Sequence, residues 1–311
     1  MRAKAVSVRA CLDALWYTPM PAARLAILRA LVGTYAFAYL SVRALHLASV
    51  ARFDPSSFEP VGPVQLLHAP LPITWVRVLV AVAWLSALAF ALGYRYRWSG
   101  PLSALTFLWV TSYRSSWGMV FHTENVIALH LVALALSPAA DALSLDTRAG
   151  RTHAQPASGR YGWAVRTVSA LTVTTYVLAG VAKLRLAGGS WVGGDVLRAQ
   201  VAYDNLRKIE LGSLYSPLGA WLVHYAAPFR VLAWASMVLE LGAPAALFGL
   251  RIARVWVFGA ASFHVGVVLL MAIAFPYQLS LIAYASFFPL ERALRHRWLR
   301  RFADEAQHGI D

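Results

Sequence analysis

Residues 162–183 read GWAVRTVSALTVTTYVLAGVAK. The stretch is apolar, without proline or carboxylate, and too long for a buried strand. As a helix rising about 1.5 Å per residue it crosses the roughly 30 Å hydrocarbon core of a bilayer. Blocks of the same kind recur on both sides of it, and spans are expected at about 24–50, 72–93, 99–114, 117–137, 162–183, 228–249, 253–274 and 276–290. Alternating polarity over about 10 residues, the mark of a barrel strand, is absent. The expected fold is all-α, a polytopic transmembrane helical bundle of about eight spans. The third and eighth blocks are short for a crossing and are expected to tilt, re-enter or pack as buried segments.

Composition agrees. The 311-residue chain is 59% hydrophobic and 14% charged, against about 25% charged in soluble domains. An ordinary soluble domain, a disordered chain and a collagen-like fibre are excluded. A net charge of +14 would suggest nucleic acid in a soluble protein. Here the basic residues sit between apolar blocks, so topology accounts for them and no nucleic-acid partner is expected. With the N-terminus cytoplasmic, inner segments hold Arg2, Lys4, Arg9, Arg95, Arg97, Arg148, Arg151, Arg160, Arg251, Arg254, Arg292, Arg295, Arg297, Arg300 and Arg301. Outer segments hold Arg52, Arg114, Arg185, Arg198, Arg207 and Lys208. That asymmetry puts both termini inside. A bacterial-type inner (cell) membrane is the expected location, with membrane lipids as partners; the oligomeric state is left open.

Residues 1–23 form a basic cytoplasmic segment, 24–290 the bundle, and 291–311 a basic cytoplasmic tail suited to anionic head groups. Asp13 interrupts the apolar run near the N-terminus, so the first span is expected to act as an uncleaved anchor. Cys11 is the lone cysteine, which excludes an internal disulfide and a thiol-based metal site. The outer stretch 51–71 has too many prolines for a helix. In the outer segment 184–227, AGGSWVGGD (187–195) reads as a glycine-rich turn. Asp195 is expected to N-cap a helix to about 210. Val196, Leu197, Val201, Leu206 and Ile209 would make a stripe lying on the membrane or the bundle. SPLGAWLVHY (216–225) reads as a second short helix, and 147–160 as a polar, mobile inner loop.

A charge at mid-membrane costs about 2.5–3.5 kcal/mol, so each needs a partner or a function. In MVFHTENVIALH (119–130), His122 and Asn125 share a helix face. Cross-helix hydrogen bonds would account for them equally well, and the second His that a zinc helix needs at i+4 is missing. Thr172, Tyr176, Gly180 and Lys183 follow a 4, 4, 3 spacing and fall on one face. Gly180 removes bulk beside Lys183. A desolvated lysine there would lose affinity for its proton and could act as a base; a lysine near a helix end also snorkels to water. Glu240 and His264 stand alone in apolar spans. Arg43 or Arg77 could pair with Glu240, and Arg29, Arg43 and Arg77 could all be snorkelling near the interface.

Four pieces together resemble the HTTM integral membrane family, whose best-known member is the vitamin K-dependent gamma-glutamyl carboxylase. They are FHTENVIALHLVALALSPAADALSLD (121–146), YVLAGVAKLRLAGGSWVGGD (176–195), LELGAP (239–244) and SFHVGVVLLMAIAFPYQLSLIAYASFFP (262–289). The "SP…D.LSLD" ending and the "AG..KL…W" piece are the most specific. The resemblance implies that Lys183 is the base that deprotonates a reduced vitamin K or menaquinol cofactor, with His122 assisting. For an enzyme acting on such a quinol, Tyr176, Gly180, Asn125, Trp191, Glu240 and His264 are expected to line the cofactor site, with no metal. Ala182 replaces the first lysine of the carboxylase pair, and the chain stops where the carboxylase continues into a lumenal domain. The carboxylase's DADW-like segment after the lysine is replaced by RLAGGSW (185–191), and with the missing domain this argues against carboxylation of proteins.

Three functions follow: a quinol-dependent, carboxylase-like (lyase) membrane enzyme, a non-catalytic membrane subunit, or a small-solute carrier. The carrier lacks the repeated halves and paired broken helices usual in transporters.

Overall fold

The computed structural model describes residues 8–118 and 123–295. Among these residues no strand forms; Met20 and Ser158 make an isolated antiparallel bridge. Four helical stretches are long and apolar enough to cross a membrane: Ala22–Arg52, Ile73–Leu92, Gly159–Ala187 and Leu250–Met271. The chain divides into two compact units. One runs to Val168 and resumes at Pro289; the other is Ser169–Phe288.

The first unit contains α1 (Val8–Trp16), α2 (Ala22–Ser49), α3 (Ile73–Leu92), α4 (Tyr96–Ser115), α5 (Asn125–Ala135), α6 (Leu145–Arg148) and the start of α7 (Gly159–Ala187). Leu25, Leu28, Val32, Ala36 and Leu40 on α2 are fully buried at spacings of three and four, the stripe a helix presents to its neighbours. Close approach of α3 depends on Gly33. A Cβ there would sit 2.7 Å from Phe90 Cδ1 and 2.8 Å from Ala91 Cα. Without a hydrophobic drive between helices in lipid, such small-residue contacts supply the packing. Val42 and Leu45 on the same helix stay exposed, as a lipid-facing side requires.

Arg29 does not snorkel. It is 1% exposed, and its guanidinium donates to the carbonyls of Ala139 (3.1 Å) and Leu143 (2.7 Å). Arg43 and Arg77 are exposed. The piece 137–146 is thereby pinned from within. Asp146 accepts from the backbone N–H of Arg95 (2.8 Å) and Tyr96 (2.7 Å) at the start of α4, and pairs with Arg151 at 2.9 Å. Ser144 caps α6, accepting from Thr147 N. Gly93, at φ +62°, gives room to Arg29 and Ser144; a Cβ there would lie 2.4 Å from Arg29 Nη1. The loop 147–160, expected to be mobile, is tethered through Gln155 N to the Tyr161 hydroxyl, 3.0 Å.

The second unit contains the remainder of α7, then α8 (Gly189–Val192), α9 (Asp195–Glu210), α10 (Pro217–Leu222), α11 (Ala226–Leu241), α12 (Leu250–Met271) and α13 (Pro276–Leu279). Asp195 is the first helical residue of α9 rather than its cap. The cap position belongs to Gly194 at φ +89°, where a Cβ would meet Arg230 N at 2.5 Å. The apolar stripe of α9 is shorter than expected. Val201 is buried, Val196 and Leu197 pack on Trp191, Ala233 and Met237, and Leu206 and Ile209 stay exposed. α10 forms as read, with Ser216 accepting from Gly219 N. The sixth expected span ends its α-helix at Leu241, and the eighth divides into α13 and a 3-10 stretch, Ile282–Phe287.

Candidate functional site

The face of α7 that carries Thr172, Tyr176, Gly180 and Lys183 is the organising surface of the second unit. Thr172 donates to the carbonyl of Ala283 at 3.0 Å. The Tyr176 hydroxyl lies 2.8 Å from His264 Nε2 and 2.5 Å from the Tyr284 hydroxyl. Gly180 admits α11: a Cβ there would be 2.9 Å from Leu241 Cδ2 and 3.1 Å from Glu240 Cβ. One turn on, Lys183 donates to Glu240 Oε1. All four readings of the 4, 4, 3 spacing therefore meet partners.

The lysine is held by more than its carboxylate. Its Nζ lies 4.8 Å from the centroid of the Trp191 ring and 5.5 Å from that of Phe263, within the range of cation–π attraction. Trp191 is fixed by packing on Ala233 and Met237 and by a long hydrogen bond, 3.4 Å, to Ser236 Oγ. The Lys183 side chain keeps 19% of its surface and that of Glu240 only 3%. Glu240 Oε2 has no protein partner.

The second cluster lies two turns back along α7. Tyr176 meets Trp256 edge-on at 5.0 Å, and Trp256 donates to the Leu239 carbonyl. The His264 ring packs on Phe263 and Phe275, and its Nδ1 meets no protein partner. Phe263 thus touches both clusters.

Six residues chosen from sequence come together in this unit: Tyr176, Gly180, Lys183, Trp191, Glu240 and His264. Glu240 pairs with Lys183, which corrects the alternative partners Arg43 and Arg77. Asn125 belongs to the first unit and is exposed at the start of α5. His122 lies outside the described residues. Its neighbour Glu124, passed over in the sequence, is buried and bonded to Arg114 (2.9 Å) and the Tyr39 hydroxyl (2.8 Å). Phe263 and Tyr284 were also missed; both sit in apolar runs where nothing in the local pattern distinguishes them.

A cavity of about 750 Å³ opens elsewhere, in the first unit, between the start of α2, the end of α3 and the loop 141–157. Lys183 does not border it.

A family model described as the HTTM domain matches residues 17–291. The chain belongs to the HTTM family. That span takes in both clusters of this HTTM protein, its membrane-length helices and the loop 137–146. Together the family and the apolar helices make it an integral membrane protein. Comparison with curated proteins and with solved structures gave no match.

Proposed function

We propose that this HTTM protein is a membrane enzyme that handles the hydroxyl proton of a lipid-soluble quinol, of the reduced vitamin K or menaquinol type. The observation that carries the reading is the Lys183–Glu240 pair between the Trp191 and Phe263 rings, with one carboxylate oxygen of Glu240 unpartnered. A flat aromatic head group suits the two rings, and its hydroxyl suits the partly exposed amine. Transfer of the lysine's extra proton to Glu240 leaves a neutral amine in a poorly solvated setting. The amine then accepts the hydroxyl proton and remains beside the anion as its counter-charge. The bound quinol supplies the reducing electrons. Tyr176, on the same face of α7, and His264 of α12, which packs on Phe263, make the adjoining polar cluster. Carboxylation of proteins is not part of the proposal.

The test is oxidation of menaquinol under oxygen by protein in lipid nanodiscs. Lys183→Ala is expected to lose the activity and Glu240→Gln to reduce it. A Lys183→Ala rate equal to wild type would end the reading.

A second reading, a non-catalytic membrane subunit, is favoured by the close approach at Gly180. There α7 and α11 touch, and the ion pair serves as a packing lock. It expects Lys183→Ala to lower thermal stability without any effect on quinols.

For the topology we infer eight crossings from 24 to 290, both termini cytoplasmic and 184–227 outside, in a bacterial-type inner membrane. The distribution of Arg and Lys supports this arrangement. Reporter fusions after residues 60, 150, 205 and 311 test it; an outer signal at 150 or 311 would overturn it.

A further inference from the structure

The loop 137–146 is one of the two most family-specific pieces of the sequence, and the quinol reading gives it no task. Structurally it forms a wall of the cavity in the first unit. The volume, about 750 Å³, falls in the range of small-molecule sites, roughly 300–1,000 Å³.

Its chemistry points to an anion. The cavity reaches the first turn of α2, a 28-residue helix whose start has Pro21 at the cap and no side-chain cap. The leading N–H groups of such a helix and its dipole attract negative charge. Arg29, 1% exposed, also borders the cavity. Its two terminal nitrogens serve Ala139 and Leu143, and its Nε has no protein partner. Arg148 is an exposed cation on the same lining. The one carboxylate there, Asp141, is already engaged by Thr152 (2.6 Å), Tyr161 (3.1 Å) and Arg160 (3.4 Å). The balance left over is positive.

One part of the wall is apolar, with Ala22, Ala30, Ala91, Leu92, Leu143 and Leu145, and the polar remainder includes Ser144, Thr147, His153 and Gln155. It stands where α2 begins and α3 ends, two helices of membrane length. We propose that the cavity binds a phosphate-bearing amphiphile of net negative charge, with its anionic group among Arg29, Arg148 and the start of α2 and its chain along the apolar wall. The site is separate from the Lys183 cluster and does not depend on the function assigned there.

The test uses the full chain, purified in detergent and stripped of lipid, with native mass spectrometry and thermal melting as readouts. The probes are lysophosphatidylglycerol, lysophosphatidylcholine and inorganic phosphate. Arg29→Met would also release the loop carbonyls, so Arg148→Glu, on the exposed rim, and Ala30→Trp, which fills the cavity, carry the comparison. Wild type is expected to retain the anionic lipid about tenfold over the zwitterionic one, and both variants to lose that preference at unchanged melting temperature. Protection by inorganic phosphate alone, sensitive to both variants and without lipid retention, would assign the same site to free phosphate. Equal retention of the two lipids with no phosphate effect, or selectivity that survives both variants, overturns the proposal.

Discussion

Lys183 and Glu240 hold each other across α7 and α11 with unequal burial, 19% of the lysine side chain exposed against 3% of the glutamate. The asymmetry makes the two single losses different. Without the lysine, a carboxylate 3% exposed loses its protein partner. Removing one side of a buried pair costs about 3–5 kcal/mol, whereas replacing both by apolar groups of similar volume is close to neutral. Without the glutamate, the lysine still has its rings and keeps part of its side chain at the surface. Lys183→Met is therefore expected to lower the melting temperature more than Glu240→Gln. Lys183→Met/Glu240→Leu should recover most of the loss. Thermal unfolding of the four proteins in one detergent checks the order.

The glycines predict a second ordering. A Cβ on Gly219 would lie 1.9 Å from the Leu270 carbonyl oxygen, a backbone atom at the end of α12. On Gly180 the nearest atom, at 2.9 Å, is the tip of Leu241, which is exposed and can turn away. Around Gly266 nothing lies within 4 Å. Overpacking costs about 1–3 kcal/mol where side chains yield and more where backbone must, while alanine gains about 1 kcal/mol over glycine in a helix interior. Gly219→Ala should prevent stable expression, Gly180→Ala should lower the melting temperature slightly, and Gly266→Ala should raise it. A Gly219→Ala protein with wild-type stability would refute the packing of α10 on α12.

Periodicity made part of this legible. A 3.6-residue repeat names the face that Thr172, Tyr176, Gly180 and Lys183 share, and that face is the one in contact. It does not name the opposite partner. Glu240 lies 57 residues from Lys183, and any basic residue near a helix end was an equal candidate. Arg29 read as a snorkelling residue because its partners are backbone carbonyls, which carry no side-chain signature. Asp195 read as a cap because its residue type suits one. The backbone instead turns left-handed one position earlier, where Gly194 alone fits against Arg230. The apolar run 276–290 gave no sign of its break, which falls at Leu281 with φ +63°.

Asp146, outside the membrane-length helices, makes the acid side of the stability profile testable. Burial by itself would raise its pKa. The N–H groups of Tyr96 and Arg95 and the Arg151 guanidinium outweigh that and hold it below the ordinary carboxylate range. A carboxyl depressed in the folded state stabilises fully above its unfolded pKa, and the contribution fades as pH falls through the folded value. Wild type should therefore lose stability as pH drops below about 4. Asp146→Asn should be less stable at neutral pH and show a flatter decline there. Melting temperatures from pH 3 to 7 decide it; parallel curves would mean that Asp146 does not titrate with folding.

One amide ties α9 to both α10 and α12. Asn205, 2% exposed, donates to the carbonyls of Val201 and Leu270, both at 2.9 Å, and accepts from Ser216 N at 2.7 Å. Beside it, Lys208 donates to the Met271 carbonyl and pairs with Asp204 at 2.8 Å. These groups take up carbonyls that the end of α12 leaves without helical partners, and the lysine also suits the negative end of its dipole. Asn205→Leu keeps the volume, strands the Leu270 carbonyl and the Ser216 N–H, and should cost about 1–3 kcal/mol for each buried group left unsatisfied. Since α9 and α10 meet α12 through these contacts, the loss should be local. Amide exchange is expected to quicken across 199–222 and to stay unchanged in the α7 and α11 segments around Lys183 and Glu240. Exchange that rises equally in both regions would show that α9 is part of the same cooperative unit as the lysine site, and that the amide supports the whole unit rather than a detachable cover.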